Sequence, residues 1–370
     1  MTDRETGLAG LRLALETDGD GAHPAAWRHS GRPPGAVLTP GALRDVVATA
    51  EDAGFDLVTF ADSPLPPDDG QGAAGRLEAG IRAAYVSPLT NRIGLAPTLH
   101  VATTEPFHLA TQLASLDHAS HGRAGWVVGA AAGDDDLATV GGVGLTGTAL
   151  ARETADVIDA ARALWDSWED DAVIKDVATG RFLDARRVHH IDFEGASFTV
   201  KGPLITPRPP QGQIVVLVPD SLDADGRADV VLVARPGLAG VAARAARARE
   251  TGAPLVLAEV EVVLDADVPA ADRLDVLDAA ARRPDSGRLR HVGSAESLLD
   301  LLRELAESVD GVRLHPAVLA VDLPILAERV LPRISASRSG RAPRAGGSLR
   351  ETLGLPRPAN RFAAAAATNA

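Results

Sequence analysis

Several side chains that could hold a ligand or move a proton stand directly after buried apolar runs of this sequence. They comprise two carboxylates, two imidazoles and two hydroxyls: Asp62, Thr98, His100, Asp220, Ser221 and His315. Carboxylates and imidazoles exchange protons, and hydroxyl groups orient ligands through hydrogen bonds. Their spacing does not form a nucleophile–base–acid triad. The pattern therefore predicts a polar binding site rather than the active site of a hydrolase.

Other common chemistries lack their signatures in this sequence. Ser63 is not in a G-x-S-x-G elbow, and no P-loop motif is present. Cysteine is absent, which excludes a thiolate nucleophile, a disulfide and a cysteine-based metal site. Two histidine clusters have spacings worth testing as metal ligands: His118 with His121, and His189 with His190 and Asp192. Neither cluster has a matching partner motif, so we expect no metal site.

The elements that must position these side chains alternate between strands and helices. Buried apolar runs predict eight strands, at 11–15, 55–61, 92–98, 124–130, 214–218, 230–234, 255–264 and 311–315. Helical periodicity and capping residues predict helices at 40–53, 76–86, 105–120, 151–168, 224–229, 237–250, 295–308 and 322–334. Between them, the acidic and Gly-rich segment 133–148 predicts a mobile loop. Residues 182–200 predict a hairpin with Gly195 in its turn.

Eight strand–helix pairs in one chain predict the α/β class and a (β/α)8 TIM barrel with insertions, since parallel strands need helical crossovers. The competing fold is a doubly wound sheet, which is disfavoured because no G-x-G-x-x-G motif follows the first strand. We expect one barrel domain over residues 1–335, with a hairpin insertion near 173–212. Residues 336–370 are rich in Ser, Arg, Gly and Pro, and they predict an extended C-terminal tail.

Charge and hydropathy exclude several kinds of partner. The 370 residues carry a net charge of −13, which disfavours binding to nucleic acid or to an anionic membrane surface. No apolar run reaches the roughly 18–20 residues needed to cross a bilayer. The charged N-terminal sequence lacks the apolar core of a signal peptide, so we expect a cytoplasmic protein.

Several stretches, in order along the chain, resemble one known family. They are 60–63 (FADS), 91–95 (NRIGL), 105–110 (EPFHLA), 115–126 (SLDHASHGRAGW), 164–172 (LWDSWEDDA), 188–195 (VHHIDFEG), 200–204 (VKGPL), 207–212 (PRPPQG) and 353–361 (LGLPRPANR). From about residue 11 to residue 361, the chain resembles the bacterial luciferase-like flavin monooxygenases. The most similar branch contains the nitrilotriacetate, dibenzothiophene-sulfone and pristinamycin monooxygenases.

The resemblance implies a two-component enzyme that oxygenates a small organic substrate with O2 and reduced FMN, supplied by a separate flavin reductase. The same fold also occurs with the deazaflavin F420; the sequence does not select between the two, and the resemblance to this branch favours FMN. Asp62 and Thr98 match family positions near the flavin, Ser221 is the remaining contact to the phosphate, and His100 faces the substrate. The resemblance also implies a homodimer.

Other positions depart from the family pattern. Val127, Ala130, Ala131 and Ala151 replace polar residues, and Asp220 stands where the flavin phosphate binds. A carboxylate beside a phosphate is repulsive unless another group neutralises it. The alternative hypothesis is therefore a non-catalytic barrel that has lost flavin binding and serves as a binding or subunit-partner protein. In either case, the acidity of segment 133–148 disfavours polyanionic substrates such as nitrilotriacetate.

Overall fold

The computed structural model describes residues 8–66, 75–224, 226–336 and 343–363. The strands in these ranges are β1 (Arg12–Thr17), β2 (Leu57–Phe60), β3 (Gly94–His100), β4 (Gly125–Gly129), β5 (Val173–Asp176), β6 (Arg181–Leu183), β7 (Phe193–Glu194), β8 (Thr199–Val200), β9 (Val215–Pro219), β10 (Val230–Val233), β11 (Leu255–Leu264), β12 (Leu289–Gly293) and β13 (Gly311–Pro316). The α-helices are α1 (Pro40–Ala53), α2 (Ala79–Val86), α3 (Pro106–Ala119), α4 (Asp134–Ala138), α5 (Gly147–Trp165), α6 (Leu238–Glu250), α7 (Ala270–Ala280), α8 (Ala295–Ala306), α9 (Leu319–Ile325), α10 (Leu331–Ser335) and α11 (Leu349–Leu353).

Eight parallel strands close into a barrel in the order β1, β2, β3, β4, β9, β10, β11, β13. Two pairings join the strands into a closed ring. β13 pairs with β1, with Leu13 opposite Val312, and β10 pairs with β11, with Val230 opposite Leu255. Each of the eight strands overlaps one of the predicted apolar runs. The predicted (β/α)8 barrel is confirmed.

Strand β11 is long enough to pair with different neighbours along its length. Its first half pairs with β10, whereas residues Val260–Leu264 pair with β12. Its other edge pairs with β13. As a result, β12 extends the barrel wall on the side where the strands end.

Apolar side chains fill the barrel interior, and helix α11 closes its amino-terminal end. Leu349 and Leu353 belong to the same buried cluster as Ala14, Ala96 and other inward-facing residues. Leu349 lies so close to Gly94 that a Cβ atom there would be 2.5 Å from its Cδ1 atom. A glycine in β3 therefore makes room for a side chain that arrives more than 250 residues later.

Local residues set the ends of the helices around the barrel. Helix α1 has Pro40 at its first position and ends at Gly54, which adopts a left-handed conformation with φ of 92°. The carboxylate of Glu105 accepts hydrogen bonds from the first backbone N–H groups of α3. Trp165, at the end of α5, is fully buried and donates from Nε1 to the carbonyl of Ala110. In the described part of the chain, no helix is long and apolar enough to span a membrane.

Several expectations about elements need correction. The predicted helix at 224–229 is wrong: Asp223 and Gly226 have positive φ, which breaks a right-handed helix, and the described residues of that segment form a turn. Segment 133–148 contains α4 and the start of α5 rather than a continuous loop. The predicted helix 322–334 begins earlier, as α9, and passes through a π-helical segment, Leu326–Val330, into α10. Helix α7 and strand β12 were not predicted.

The excursion between α5 and β9 consists of two small hairpins rather than one. β5 pairs with β6, and β7 pairs with β8. Gly195 lies in the turn of the second hairpin, as predicted, and its N–H donates to the carbonyl of Phe198.

Candidate active site

A cavity of about 560 Å³ opens where the barrel strands end. Its volume is within the range of about 300–1,000 Å³ that is typical of ligand sites. One wall is apolar and is formed by Val127 and Ala130 at β4 and by Leu150 of α5. Across the barrel from β4, the wall at β13 is polar and includes Arg313 and His315. We call this cavity the mouth.

The structure brings together the three residues that the resemblance assigns to the flavin. Asp62, Thr98 and Ser221 all line the mouth. The Asp62 carboxylate is fixed from both sides, since it accepts hydrogen bonds from the backbone N–H groups of Ser63 at 2.8 Å and Ala79 at 2.7 Å. Its position is therefore set before any ligand arrives.

His100 lies beside the mouth rather than in its wall. It lines an adjoining cavity of about 420 Å³, which shares Asp62 and Thr98 with the mouth. The imidazole packs on Gly129, where an added Cβ atom would clash with its Nδ1 atom. This contact explains why a glycine ends β4.

A single backbone contact fixes the hydrogen-bonding state of His100. Its Nδ1 atom accepts a hydrogen bond from the backbone N–H of Ala131 at 3.1 Å, so Nδ1 carries no proton. Burial lowers the pKa of the imidazole, and the backbone and carboxylate of Asp62 oppose this only in part. The ring is therefore neutral at pH 7, with its hydrogen on Nε2. Nε2 is buried and forms no hydrogen bond of standard geometry among the described residues, although the backbone of Asp62 acts on the ring as an acceptor.

Asp220 does not place an unpaired charge in the mouth. Its carboxylate lines a separate cavity beside β9 and α6, together with Arg244. Oδ2 of Asp220 lies 2.8 Å from Nη2 of Arg235 and 2.8 Å from Nε of Arg244. Two guanidinium groups thus neutralise this carboxylate, which removes the repulsion expected for an anionic ligand near Ser221.

The polar wall of the mouth contains an ion-pair network from β1, β11 and β13. Arg313 bridges two carboxylates: its Nη1 lies 3.3 Å from Oε2 of Glu16 and its Nη2 lies 2.7 Å from Oε1 of Glu259. Thr59 donates to Oε2 of Glu16 at 2.5 Å. Although burial favours the neutral acid, Arg313 and His315 hold the pKa of Glu259 far below its usual range. Burial lowers the pKa of His315, and Glu259 opposes this only in part.

The network continues toward β12. Nε of Arg288 donates to Oε2 of Glu259 at 3.3 Å, and Nη1 lies 3.6 Å from Oε1 of Glu261. Arg290 pairs with Glu261 at 2.8 Å, and Ser286 donates to the same carboxylate at 2.5 Å.

Of this network, the sequence predicted only His315. The other charged residues of the network could have been found from charged side chains that recur at every second position of an apolar strand. Glu259 and Glu261 lie two residues apart in an apolar strand, as do Arg313 and His315. Residues at this spacing face the same side of a strand, and charges inside a buried strand must be paired.

The histidine clusters considered as metal ligands are engaged elsewhere. His118 contacts the carbonyl of Pro207, and His190 contacts the carbonyl of Gly202. His189 pairs with Glu169 at 2.8 Å and stacks on Phe362. Among the residues that the structure describes, no three His, Asp or Glu side chains are grouped to hold a metal ion.

Comparison with known proteins decides the family. A family model described as luciferase-like monooxygenase matches residues 21–307, which include most of the barrel. The chain belongs to the luciferase-like monooxygenase family. The expectation of a monooxygenase of this family, drawn from the sequence motifs, is confirmed.

Two relatives match this luciferase-like monooxygenase over nearly their whole length. N-acetyl-S-(2-succino)cysteine monooxygenase from Bacillus subtilis is 27% identical, over 95% of this chain and 98% of the relative. A pristinamycin IIA synthase subunit from Streptomyces pristinaespiralis is 32% identical, over 89% of this chain and 94% of the relative. The solved structure of EDTA monooxygenase from Chelativorans sp. BNC1 has the same fold, with a TM-score of 0.77, 21% identity, and coverage of 94% of this chain and 99% of that one.

Proposed function

We propose that this luciferase-like monooxygenase binds reduced FMN in the mouth and oxygenates a small organic molecule there. The observation that carries the proposal is the mouth itself, whose apolar wall adjoins the fixed carboxylate of Asp62. A planar ring with polar edges fits a cavity with this division of surfaces. When bound, reduced flavin supplies the electrons that activate O2.

Each side of the mouth has a part in holding the cofactor. Asp62 accepts a hydrogen bond from the flavin ring, and Thr98 donates one. Val127, Ala130 and Leu150 exclude water from the ring face, which limits wasteful release of peroxide. Ser221 contacts the phosphate, and the neighbouring carboxylate of Asp220 does not repel it because Arg235 and Arg244 neutralise that carboxylate. Together these groups compensate for the polar family residues that are replaced here.

His100 is the proposed catalytic residue. Its Nε2–H forms no hydrogen bond of standard geometry among the described residues, and it stays protonated because Ala131 occupies the other ring nitrogen. A neutral imidazole held this way donates a hydrogen bond to an oxygen atom of a reactant without releasing a proton to water.

The remaining components of the system follow from the same proposal. A separate flavin reductase supplies reduced FMN, and the cytoplasm is the proposed location because reduced cofactors are made there. F420 stays an alternative cofactor for the same cavity. A homodimer is proposed through the outer face of α2, where Ile81, Tyr85 and the following Leu89 form an exposed apolar stripe.

Reoxidation of reduced FMN tests this function. Protein in excess over flavin should change the rate at which reduced FMN is reoxidised by O2, measured by stopped-flow absorbance, and the effect should saturate with protein. Asp62→Ala should raise the protein concentration needed by at least tenfold. A rate equal to that of free flavin at all protein concentrations would contradict the proposal.

A further inference from the structure

A buried guanidinium group joins helix α2 to the strand ends beside the mouth. Arg82 of α2 is 8% exposed, and it forms no ion pair with the residues that the structure describes. Its guanidinium donates instead to two backbone carbonyls: Nη1 donates to Thr17 at 3.4 Å, and Nη2 donates to Ala61. Thr17 ends β1 and Ala61 follows β2 directly. Arg82 therefore ties these two strand ends to one helix.

The two carbonyls belong to the residues immediately before Asp18 and Asp62, and both of these aspartates line the mouth. Helix α2 also holds Asp62 by its carboxylate, since the backbone N–H of Ala79 donates to Oδ2 at 2.7 Å. One helix thus fixes both the backbone that leads into Asp62 and the side chain itself. A shift of Arg82 would therefore move the carboxylate that we assign to the flavin ring.

The charge of Arg82 also acts on the carboxylates of the mouth. Burial lowers the pKa of Arg82, whereas the negative charges of Asp18, Asp62 and Glu16 favour its charged form. Arginine stays protonated in proteins, so a cation is always present near these three acidic side chains. It reduces the repulsion among them, which favours one ordered position for the Asp62 carboxylate.

A second buried arginine has the same kind of contacts at the other end of the barrel. Arg123 is 3% exposed and lies just before β4, and it too has no ion pair within the described ranges. Its guanidinium donates to the carbonyls of Ser87, Thr90 and Ile93. None of these residues lines the mouth. The two arginines thus differ in location rather than in chemistry, which makes Arg123 a matched reference for Arg82.

We propose that Arg82 is a positioning residue for the flavin site. It holds the carbonyl before Asp62 while Ala79 holds the carboxylate, and together they keep the acceptor in place for the flavin ring. The proposal rests on the proposed function for the identity of that ligand. Arg82 does not line the mouth, so its effect on the ligand passes through Asp62.

Amide hydrogen exchange of the flavin-free chain, followed by NMR, tests the positioning directly. In Arg82→Met, the amide of Ala79 should exchange at least tenfold faster relative to the amide of Ile93, because its acceptor is no longer held. Arg123→Met should have the reverse effect and accelerate Ile93 relative to Ala79. Equal acceleration of both amides in Arg82→Met, or none, would overturn the proposal and leave Arg82 a residue of general stability.

Flavin affinity gives a second readout. Arg82→Met should raise the dissociation constant of reduced FMN at least tenfold in anaerobic titrations, whereas Arg123→Met should leave it unchanged. In the Asp62→Ala background, the same change at Arg82 should raise the constant by less than about threefold, because the residue that it positions is gone. Equal effects in the two backgrounds would show that Arg82 does not act through Asp62.

If Arg82→Met does not fold, Arg82→Lys replaces it in both measurements. Lysine keeps the charge but lacks the planar fork that reaches two carbonyls, so the same selective effects should appear at about threefold or more. Unchanged exchange of Ala79 in that variant would likewise overturn the proposal.

The two proposals fail in different ways. Selective acceleration of the Ala79 amide in a chain that binds no flavin would contradict the proposed function alone. Flavin binding in a chain whose Ala79 amide does not respond to Arg82 would contradict only the positioning role.

Discussion

At the scale of single residues, His100 shows how one contact sets a chemical state. The N–H of Ala131 determines which ring nitrogen keeps its hydrogen, and Gly129 provides the space in which the ring lies. The sequence indicated His100 because it follows a predicted strand. It could not indicate the tautomer, which depends on a backbone group 31 residues away.

Gly129→Ala tests this arrangement. The added Cβ would clash with Nδ1 of His100, so the ring must move away from Ala131. We expect at least a tenfold loss of substrate oxygenation, with more O2 released as peroxide, measured in a reductase-coupled assay. Gly41→Ala, where a Cβ would contact nothing, is the control. Unchanged coupling in Gly129→Ala would show that the position of His100 does not matter.

Asp117 gives a prediction about pH and stability. Its buried carboxylate accepts hydrogen bonds from the N–H of Ala124 and from Gln211, yet burial raises its pKa to about 6. A raised pKa means that the folded state binds the proton more tightly than the unfolded state does. This group therefore stabilises the fold below its ordinary pKa of 3.8, and the contribution disappears as the pH rises through about 6.

The Asp117→Asn variant should lack this dependence. Between pH 4 and pH 7, the free energy of unfolding of the wild-type chain should fall by on the order of 2 kcal/mol relative to the variant. Urea unfolding at several pH values measures the difference. Parallel curves for the two proteins would show that the pKa of Asp117 is not raised.

At the scale of elements, the barrel could be predicted because its strands are short buried runs bounded by turns. Strand β12 escaped prediction because its sequence, LRHVG, mixes charged and apolar residues. The ion-pair network in the mouth could not be predicted, because its charged residues come from different strands and pair only when the barrel closes. The same holds for Asp220, whose partners Arg235 and Arg244 are separated from it in sequence but adjacent in the fold.

The contact between α11 and the barrel floor gives a prediction at this scale. Leu349→Ala should lower the free energy of unfolding by about 2–5 kcal/mol, the usual cost of a cavity in a core. Gly94→Ala should also destabilise, because its Cβ would meet Leu349. In the double variant the two effects should be less than additive, since each change makes room for the other. Additive effects in urea unfolding would mean that α11 does not close the barrel.

At the scale of the whole molecule, the two ends of the barrel have different tasks. The amino-terminal end is filled by apolar side chains and α11, which stabilise the fold. The other end is open and contains the cavity, the fixed carboxylate and the charged network. This division is usual for (β/α)8 enzymes and explains why substitutions at the mouth can change chemistry without unfolding the chain.

The proposed dimer is a prediction about the assembled molecule. Ile81 is 61% exposed on α2, and its replacement by aspartate should convert a dimer to a monomer. Light scattering coupled to size-exclusion chromatography measures the mass. Val177→Asp, at an exposed site in the first hairpin, should have no effect. A wild-type mass equal to that of one chain would exclude the dimer.

Anaerobic calorimetric titration of the purified chain with reduced and oxidised FMN measures directly whether the mouth binds flavin. We expect reduced FMN to bind with a micromolar or lower dissociation constant, because the mouth compensates for the replaced family residues. Absence of binding up to millimolar flavin, with F420 also failing to bind, would contradict it. The chain would then be a barrel that no longer performs flavin chemistry.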